Sequence, residues 1–545
     1  MKIDNYTPTS DEATAPPVYD DIQGLLVNGY RGYNFIRFLI LTIPQENIQA
    51  VRNFCAALVP GTSGSALTVT PATRWLSEIE RPPYRLNLGL TKSGLVKLIT
   101  AENYKTLYRK SYQVLGRFGR VSTSADPSSY AYPYGAAYPD TAQSVGDTGP
   151  SAPSEWWQSG GWQLPGRSPT ETDLDILLSL YAPTAEEREI WHGRLMEMIA
   201  DSAVLAFMQD SDPLDPAGQK IHFGYRDGIS QPRIAGFSET NPELDDRPDV
   251  DSWRFIINLI AGGSSPKLTY GAHPFFNNGS FGAFRVLYQD VSKFEEFINR
   301  NGAEQAEEIA AKMCGRWRDG TPIELSATEP QNKHLLGQSL RGEYQLNNFD
   351  YLTPTAHQEP SPAPSGNPDT GQGCPYAAHI RRANPRDDTS VSGNGAPGTG
   401  LPLMANAHRV LRRARPYGTA YDPTDPASKD KQRGLIGLFI GADLQNQFEF
   451  LMNTWITQGG FTPNDNSQNQ GGYDPLFGPP PGVASQNPGT AEFIYCTGNP
   501  ENPSDYTTLP GLSQLIITKG ALYVFLPSIT ALRYLAKGEI PTHVV

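Results

Sequence analysis

The chain is 545 residues long, room for two to four domains at about 150 residues each, and its 44 Lys+Arg against 57 Asp+Glu leave a net charge of −13 at pH 7. That balance excludes a protein whose work is to coat nucleic acid or an anionic membrane, and no apolar run approaches the roughly 18 residues of a membrane span. With 38% apolar residues the chain is globular, while 52 Gly and 48 Pro announce long loops.

The polar segment from Met1 to Pro17 has no apolar h-region, so a soluble, cytoplasmic protein is expected. Phe35 to Leu41 reads as a strand, and Pro44 then opens a helix with Ile48, Val51, Cys55 and Leu58 at helical spacing. Leu86–Leu90 followed by Gly94–Ile99 is a second such unit. Leu174–Tyr181 reads as a buried strand, and the capping box Thr184-Ala-Glu-Glu187 starts a helix expected to run to about Met208. The second half echoes the first: Phe284–Tyr288 leads through Asp290 into Val291–Ile298, and Leu435–Ile440 leads through Asp443 into a helix reaching Trp455. A last strand, Leu522–Leu526, and a short helix, Ser528–Leu535, should close that second domain.

Residues 122–168, 353–373, 386–402 and 459–512 are rich in Ser, Pro, Gly and Asn and are expected to be surface insertions. Cys55, Cys314, Cys374 and Cys496 stand far apart, so free thiols are expected rather than a zinc ribbon or a disulfide frame. Gly393-Asn-Gly395-Ala-Pro-Gly398 matches GxGxxG, but no strand precedes it and no helix follows, so it reads as a loop. No P-loop, HExxH or GxSxG pattern occurs, which removes the NTPase, zincin and α/β-hydrolase classes.

Positive charge is concentrated in two windows, Arg381, Arg382 and Arg386 beside His379, and Arg409, Arg412, Arg413 and Arg415 beside His408. Such clusters are either solvated faces or a pocket in which guanidinium forks meet carboxylates and a histidine meets a metal. In Gly224-Tyr-Arg-Asp227-Gly228 the aspartate stands between glycines, either a plain turn or a carboxylate brought close to a reacting centre.

Together these segments resemble the dye-decolorizing peroxidases. Gly224–Gly228 resembles their GxxDG motif, Cys374-Pro-Tyr-Ala-Ala-His379-Ile-Arg-Arg-Ala-Asn-Pro-Arg386 their proximal haem segment, and His408-Arg-Val-Leu-Arg412-Arg-Ala-Arg-Pro-Tyr417-Gly418 their distal arginine segment. Asp21–Gly24, Ala311–Trp317, Asn348–Tyr351, Gln447–Phe450 and Phe525–Pro527 extend the match in family order, with a length most similar to the larger bacterial members.

The resemblance implies an α+β fold of two ferredoxin-like domains, antiparallel sheets with peripheral helices, spanning residues 1–240 and 241–545, with haem b (iron protoporphyrin IX) in the C-terminal domain and Asp227 reaching over it from the first. It implies a peroxidase that uses hydrogen peroxide to oxidise phenols and bulky dyes in one-electron steps. His379 would be the axial ligand, with His408 the rival. Arg381, Arg386 and Arg413 would meet the propionates, and Leu435 would line the cavity. Asp227 would shuttle the peroxide proton, and Arg412, of a residue type that does not deprotonate at working pH, would stabilise charge. Tyr417 and Trp455 are candidates for carrying electrons from bulky donors, Tyr417 at a turn near the surface. Gly437 stands where the family often has an aromatic, which would open the pocket. The acceptor for the Nδ1 proton of His379 is left open, as are the physiological donor and any homo-oligomeric state. Neither nucleic acid nor membrane is expected as a partner. The alternatives are a haem carrier or sensor on the same fold, or an enzyme that removes iron from the porphyrin.

Overall fold

The computed structural model describes residues 19–73, 82–100, 102–107, 135–157, 173–237, 249–257, 273–301, 303–326, 346–351, 374–387, 404–457, 473–478, 492–497 and 502–541. Its frame is an antiparallel sheet of β1 (Phe35–Thr42), β2 (Arg85–Leu90), β3 (Ile176–Ala182), β4 (Val204–Ser211), β5 (Ser280–Gln289), β6 (Leu411–Tyr417), β7 (Gly434–Gly441) and β10 (Ile516–Leu526). A separate hairpin pairs β8 (Glu492–Cys496) with β9 (Tyr506–Pro510). The helices that matter here are α1 (Ile48–Ala57), α2 (Lys92–Ile99), α3 (Pro139–Ser144), α4 (Ala185–Ile199), α5 (Val291–Ile298), α6 (Ala303–Cys314), α7 (His379–Ala383) and α8 (Ile529–Lys537).

The sheet order is β4-β1-β3-β2-β10-β5-β7-β6. Within each half the strands lie in the same order, fourth, first, third, second, which is the ferredoxin-like arrangement. The halves join where β10 meets β2, Phe525 standing opposite Leu90. The sheet also curls until its edges approach, and Ser211 Oγ donates to Pro416 O at 2.7 Å between β4 and β6. The interior is apolar where the halves meet: Phe38 and Phe284, both fully buried, bring their rings within 5.6 Å across the two halves.

Caps drawn from the sequence hold most helices where they were expected. Thr184 Oγ1 accepts from Glu187 N at 3.1 Å, Asp290 Oδ1 from Lys293 N at 3.1 Å and Ser528 Oγ from Ala531 N at 3.0 Å, each satisfying a donor the helix cannot.

Three expectations are corrected. Helix α4 stops at Ile199 rather than near Met208, because Val204–Ser211 is taken up as β4 by pairing with β1. The segment after Asp443 is a π-helix, Gln445–Glu449 and Leu451–Ile456, not an α-helix. Its last carbonyls, of Trp455 and Ile456, accept from the buried Arg382 guanidinium. Finally, α8 does not close the second half: it packs on α1, and Asp21 accepts from Ile529 N and Thr530 N, so it covers the first.

The long insertions are not all surface either. Gly393–Gly398 and much of the Ser/Pro/Gly-rich segments lie outside the described residues, but 135–157 packs into the core. Asp147 and Arg285 form a bidentate pair, each side chain 2% exposed, at 2.5 and 2.6 Å, and Thr518 Oγ1 donates to Asp147 at 2.7 Å. Removing one partner leaves an unpaired buried charge. Asp147→Ala should therefore cost about 3–5 kcal/mol in denaturant unfolding, and a loss under 1 kcal/mol would show the pair to be dispensable. The four cysteines are free and buried.

Candidate functional site

Strand register decides which arginines can share a site. In the β6–β7 ladder Arg412 stands opposite Phe439, Ala414 opposite Gly437 and Pro416 opposite Leu435, while Arg413 faces Leu438 and Arg415 faces Ile436. Paired residues share a face and neighbours alternate, so Arg412, Leu435 and Phe439 lie on one side and Arg413 and Arg415 on the other. On that first side Leu435 and Phe439 are only partly covered, whereas Ile436, Leu438 and Ile440 behind them are at most 1% exposed. An apolar opening therefore lies over Leu435 and Phe439, and Ile380 and Phe477 pack on the same cluster.

Asp227 reaches this opening from a tightly tied loop. Its N–H donates to Gln219 O at 2.8 Å, Arg226 N to Arg318 O at 2.9 Å, and Tyr225 Oη to Ala310 O on α6 at 2.7 Å. Gly228 follows at φ +84°, a conformation that a side chain would strain. The loop is clamped to β6 by Gln231, whose amide accepts from Arg412 N at 3.1 Å and donates to Arg412 O at 3.2 Å. Arg412 Nη1 then meets Asp227 Oδ1 at 3.1 Å, with both side chains about one-third exposed. Burial pushes the Asp227 carboxyl up, but the Arg412 charge, the Gly228 N–H, Arg415 and His379 together hold it below the usual carboxylate range.

His379 begins α7, and its Nδ1 lies 2.7 Å from Asp474 Oδ2. Asp474 is fully buried, and its other oxygen accepts from Leu476 N at 3.0 Å and Phe477 N at 3.3 Å. A carboxylate so held can only accept, so the imidazole donates through Nδ1 and keeps its Nε2 lone pair for a metal. This answers the question of the Nδ1 acceptor: it comes from the insertion 459–512, as part of an apolar island, Tyr473-Asp-Pro-Leu-Phe477, that could have marked it. Gln231, three residues beyond the Gly224–Gly228 motif, is the other residue missed.

His408, the rival ligand, stacks on Phe450 with centroids 3.7 Å apart and bonds Asn446 O through Nδ1, away from the opening. The arginines expected to meet propionates also hold contacts within the fold. Arg413 sits on the opposite face from Arg412, its Nε donating to Leu25 O. Arg381 donates to Cys374 O and lies over the Tyr376 and Tyr351 rings, and Arg386 donates to Asn347 O and Phe349 O.

Tyr417 is 5% exposed and Trp455 4%, so neither is a surface aromatic. Tyr417 ends a strand packed under the His222 ring, whose Nε2 bonds its carbonyl, and Trp455 packs edge-on against His408 and Phe450. Both are core residues. At Gly437 a Cβ would come within 2.2 Å of Arg413 O, so the glycine is required for β6 and β7 to approach.

An iron porphyrin fits this donor set: one imidazole oriented by a buried carboxylate, an apolar opening beside it, and an acid–guanidinium pair facing the same space.

No family model matches the chain. A dye-decolorizing peroxidase of Auricularia auricula-judae is 30% identical over 337 residues, 59% of this chain and 57% of that protein. One of Exidia glandulosa is 29% identical over 331 residues, 58% of this chain and 55% of its own length. The chain thus spans a little over half the length of the curated relatives it matches. The crystal structure of a fungal dye-decolorizing-type peroxidase from Auricularia auricula-judae superposes with a TM-score of 0.67 at 23% identity, over 96% of this chain and 100% of that one. The chain is thus similar to dye-decolorizing peroxidases over more than half of its length and has their fold.

Proposed function

We propose that this relative of the dye-decolorizing peroxidases is itself a haem b peroxidase, oxidising phenols and dyes at the expense of hydrogen peroxide. The observation that carries the reading is the pairing of His379 with Asp474 and of Asp227 with Arg412 around one apolar opening. Haem, when bound, supplies the iron that exchanges electrons with peroxide and donor.

His379 would hold that iron through Nε2, and Asp474 fixes the ring and raises its basicity. Asp227, a carboxylate through most of the acid range, takes the proton from the inner peroxide oxygen and returns it to the outer one. Arg412 stabilises the negative charge that develops as the O–O bond opens, and it holds Asp227 in place meanwhile. Leu435, Phe439 and Phe477 keep water from the opening. A carrier or sensor needs no proton shuttle, so the intact Asp227–Arg412 pair favours catalysis over the alternatives.

The test is the absorption spectrum of the purified protein, followed by peroxide-dependent oxidation of a phenol. A Soret band with many turnovers and no haem loss is expected. A colourless protein, or haem consumed once per turnover, would overturn the reading. Asp474→Asn should weaken haem affinity by about 10–100-fold in a haem-transfer assay, because an amide no longer holds the imidazole as a strong acceptor. An unchanged affinity would mean that the pair is merely structural.

A further inference from the structure

The side of β6 turned away from the haem opening looks into a second space. A cavity of about 870 Å³ opens at the mouth of the curled sheet, and Arg412, Arg413 and Arg415 all border it. Seven of its described lining residues are arginine and one, Asp227, is acidic, in a chain whose net charge is −13. Of these, Arg412 and Arg233 have carboxylate partners in Asp227 and Asp249.

Arg413 and Arg415 do not: among the described residues they donate only to neutral carbonyls, those of Leu25, Arg412 and Gly218. The neighbouring walls are aromatic, formed by Tyr30 and Tyr181. Burial pushes the Arg413 guanidinium down to about 10, and Arg415 and Arg412 add to the effect. Two adjacent cations that form no ion pair among the described residues, with Asp227 the one acidic side chain of the described lining, in a space far larger than a peroxide, offer a seat for an anion of matching size.

We infer that the barrel-mouth cavity binds an aromatic carboxylate, its carboxylate on Arg413 and Arg415 and its ring against the wall to which the paired Tyr30 and Tyr181 belong. The guanidinium fork matches a carboxylate's two oxygens, and the cavity runs on to Asp227 and Arg412. A phenol that carries a carboxylate would thus be held beside the distal pair. Calling the ligand an electron donor rests on the function proposed above; its binding does not.

The experiment is calorimetric titration of the holoenzyme with benzoate, benzamide and inorganic phosphate, without peroxide. Benzoate should bind at low salt, weaken as ionic strength rises, and bind at least about tenfold more tightly than either benzamide or phosphate. Arg415→Gln and Arg413→Gln should each weaken benzoate by about tenfold or more, the worth of a charge-assisted bond. Benzamide binding as tightly as benzoate, phosphate binding as tightly, or unaltered affinity in both variants would each overturn the proposal. In steady state with peroxide, Arg415→Gln should raise KM for 4-hydroxybenzoate and leave that for phenol unchanged. Were the protein no peroxidase, this last comparison would vanish while the titrations still decided the site.

Discussion

Asp227→Asn is expected to slow the reaction of the holoenzyme with hydrogen peroxide by about 100-fold or more while haem is retained, the usual worth of a positioned acid/base. The amide keeps the size of the side chain and can still bond Arg412, so a loss reports on proton transfer rather than on collapse of the loop. The loop itself hangs on backbone bonds to Gln219 and Arg318 and on the Gln231 clamp, none of which uses the Asp227 carboxylate. The pH profile adds a second readout. Burial alone would raise the Asp227 carboxyl, but Arg412 and its other neighbours hold it below the usual range. The base form therefore persists as pH falls and is lost only when pH drops through that depressed value, so the acid limb of kcat/KM for peroxide should lie below the ordinary carboxylate range of about 3.9. Arg412→Gln should move that limb upward. A stopped-flow rate for Asp227→Asn equal to the wild type would assign the distal chemistry to Arg412 alone.

Replacing His379 with alanine should abolish stable haem retention, because no other described imidazole faces the opening and the proposed bond to iron would be lost. His408→Ala should leave a coloured protein, since that ring is occupied with Phe450, Trp455 and the Asn446 carbonyl. The ratio of Soret to protein absorbance after gel filtration measures both. Colour kept by His379→Ala and lost by His408→Ala would reverse the assignment.

Those two histidines show what a sequence can and cannot carry. The strands were legible because Phe35–Leu41, Phe284–Tyr288 and Leu435–Ile440 are short apolar runs followed by capping residues, a local pattern. His379, Asp227 and Arg412 were legible as motif residues. Asp474 was not, because it lies 95 residues after His379 inside a stretch whose composition reads as loop. The face of Arg413 was misjudged for a similar reason: clustering along the chain says nothing of side, and the alternation of β6 puts Arg412 and Arg413 back to back. Burial of Tyr417 was hidden too. A turn at Pro416 and Gly418 suggests the surface, but β6 closes against β4 just there, through Ser211 and Pro416.

The place of β10 governs the order in which the molecule can be assembled. It is the last strand among the described residues, yet it lies between β2 and β5, and α8, which follows it, covers α1. A ribosome delivering the chain from its N-terminus would have emitted β1 to β9 before the strand that joins the halves. Until then β2 and β5 each present a bare edge of backbone donors and acceptors, the kind of surface that recruits another chain. Pairings this far apart in sequence also close slowly. Yield should accordingly be more sensitive to expression temperature and chaperone supply than the stability of the finished fold would suggest.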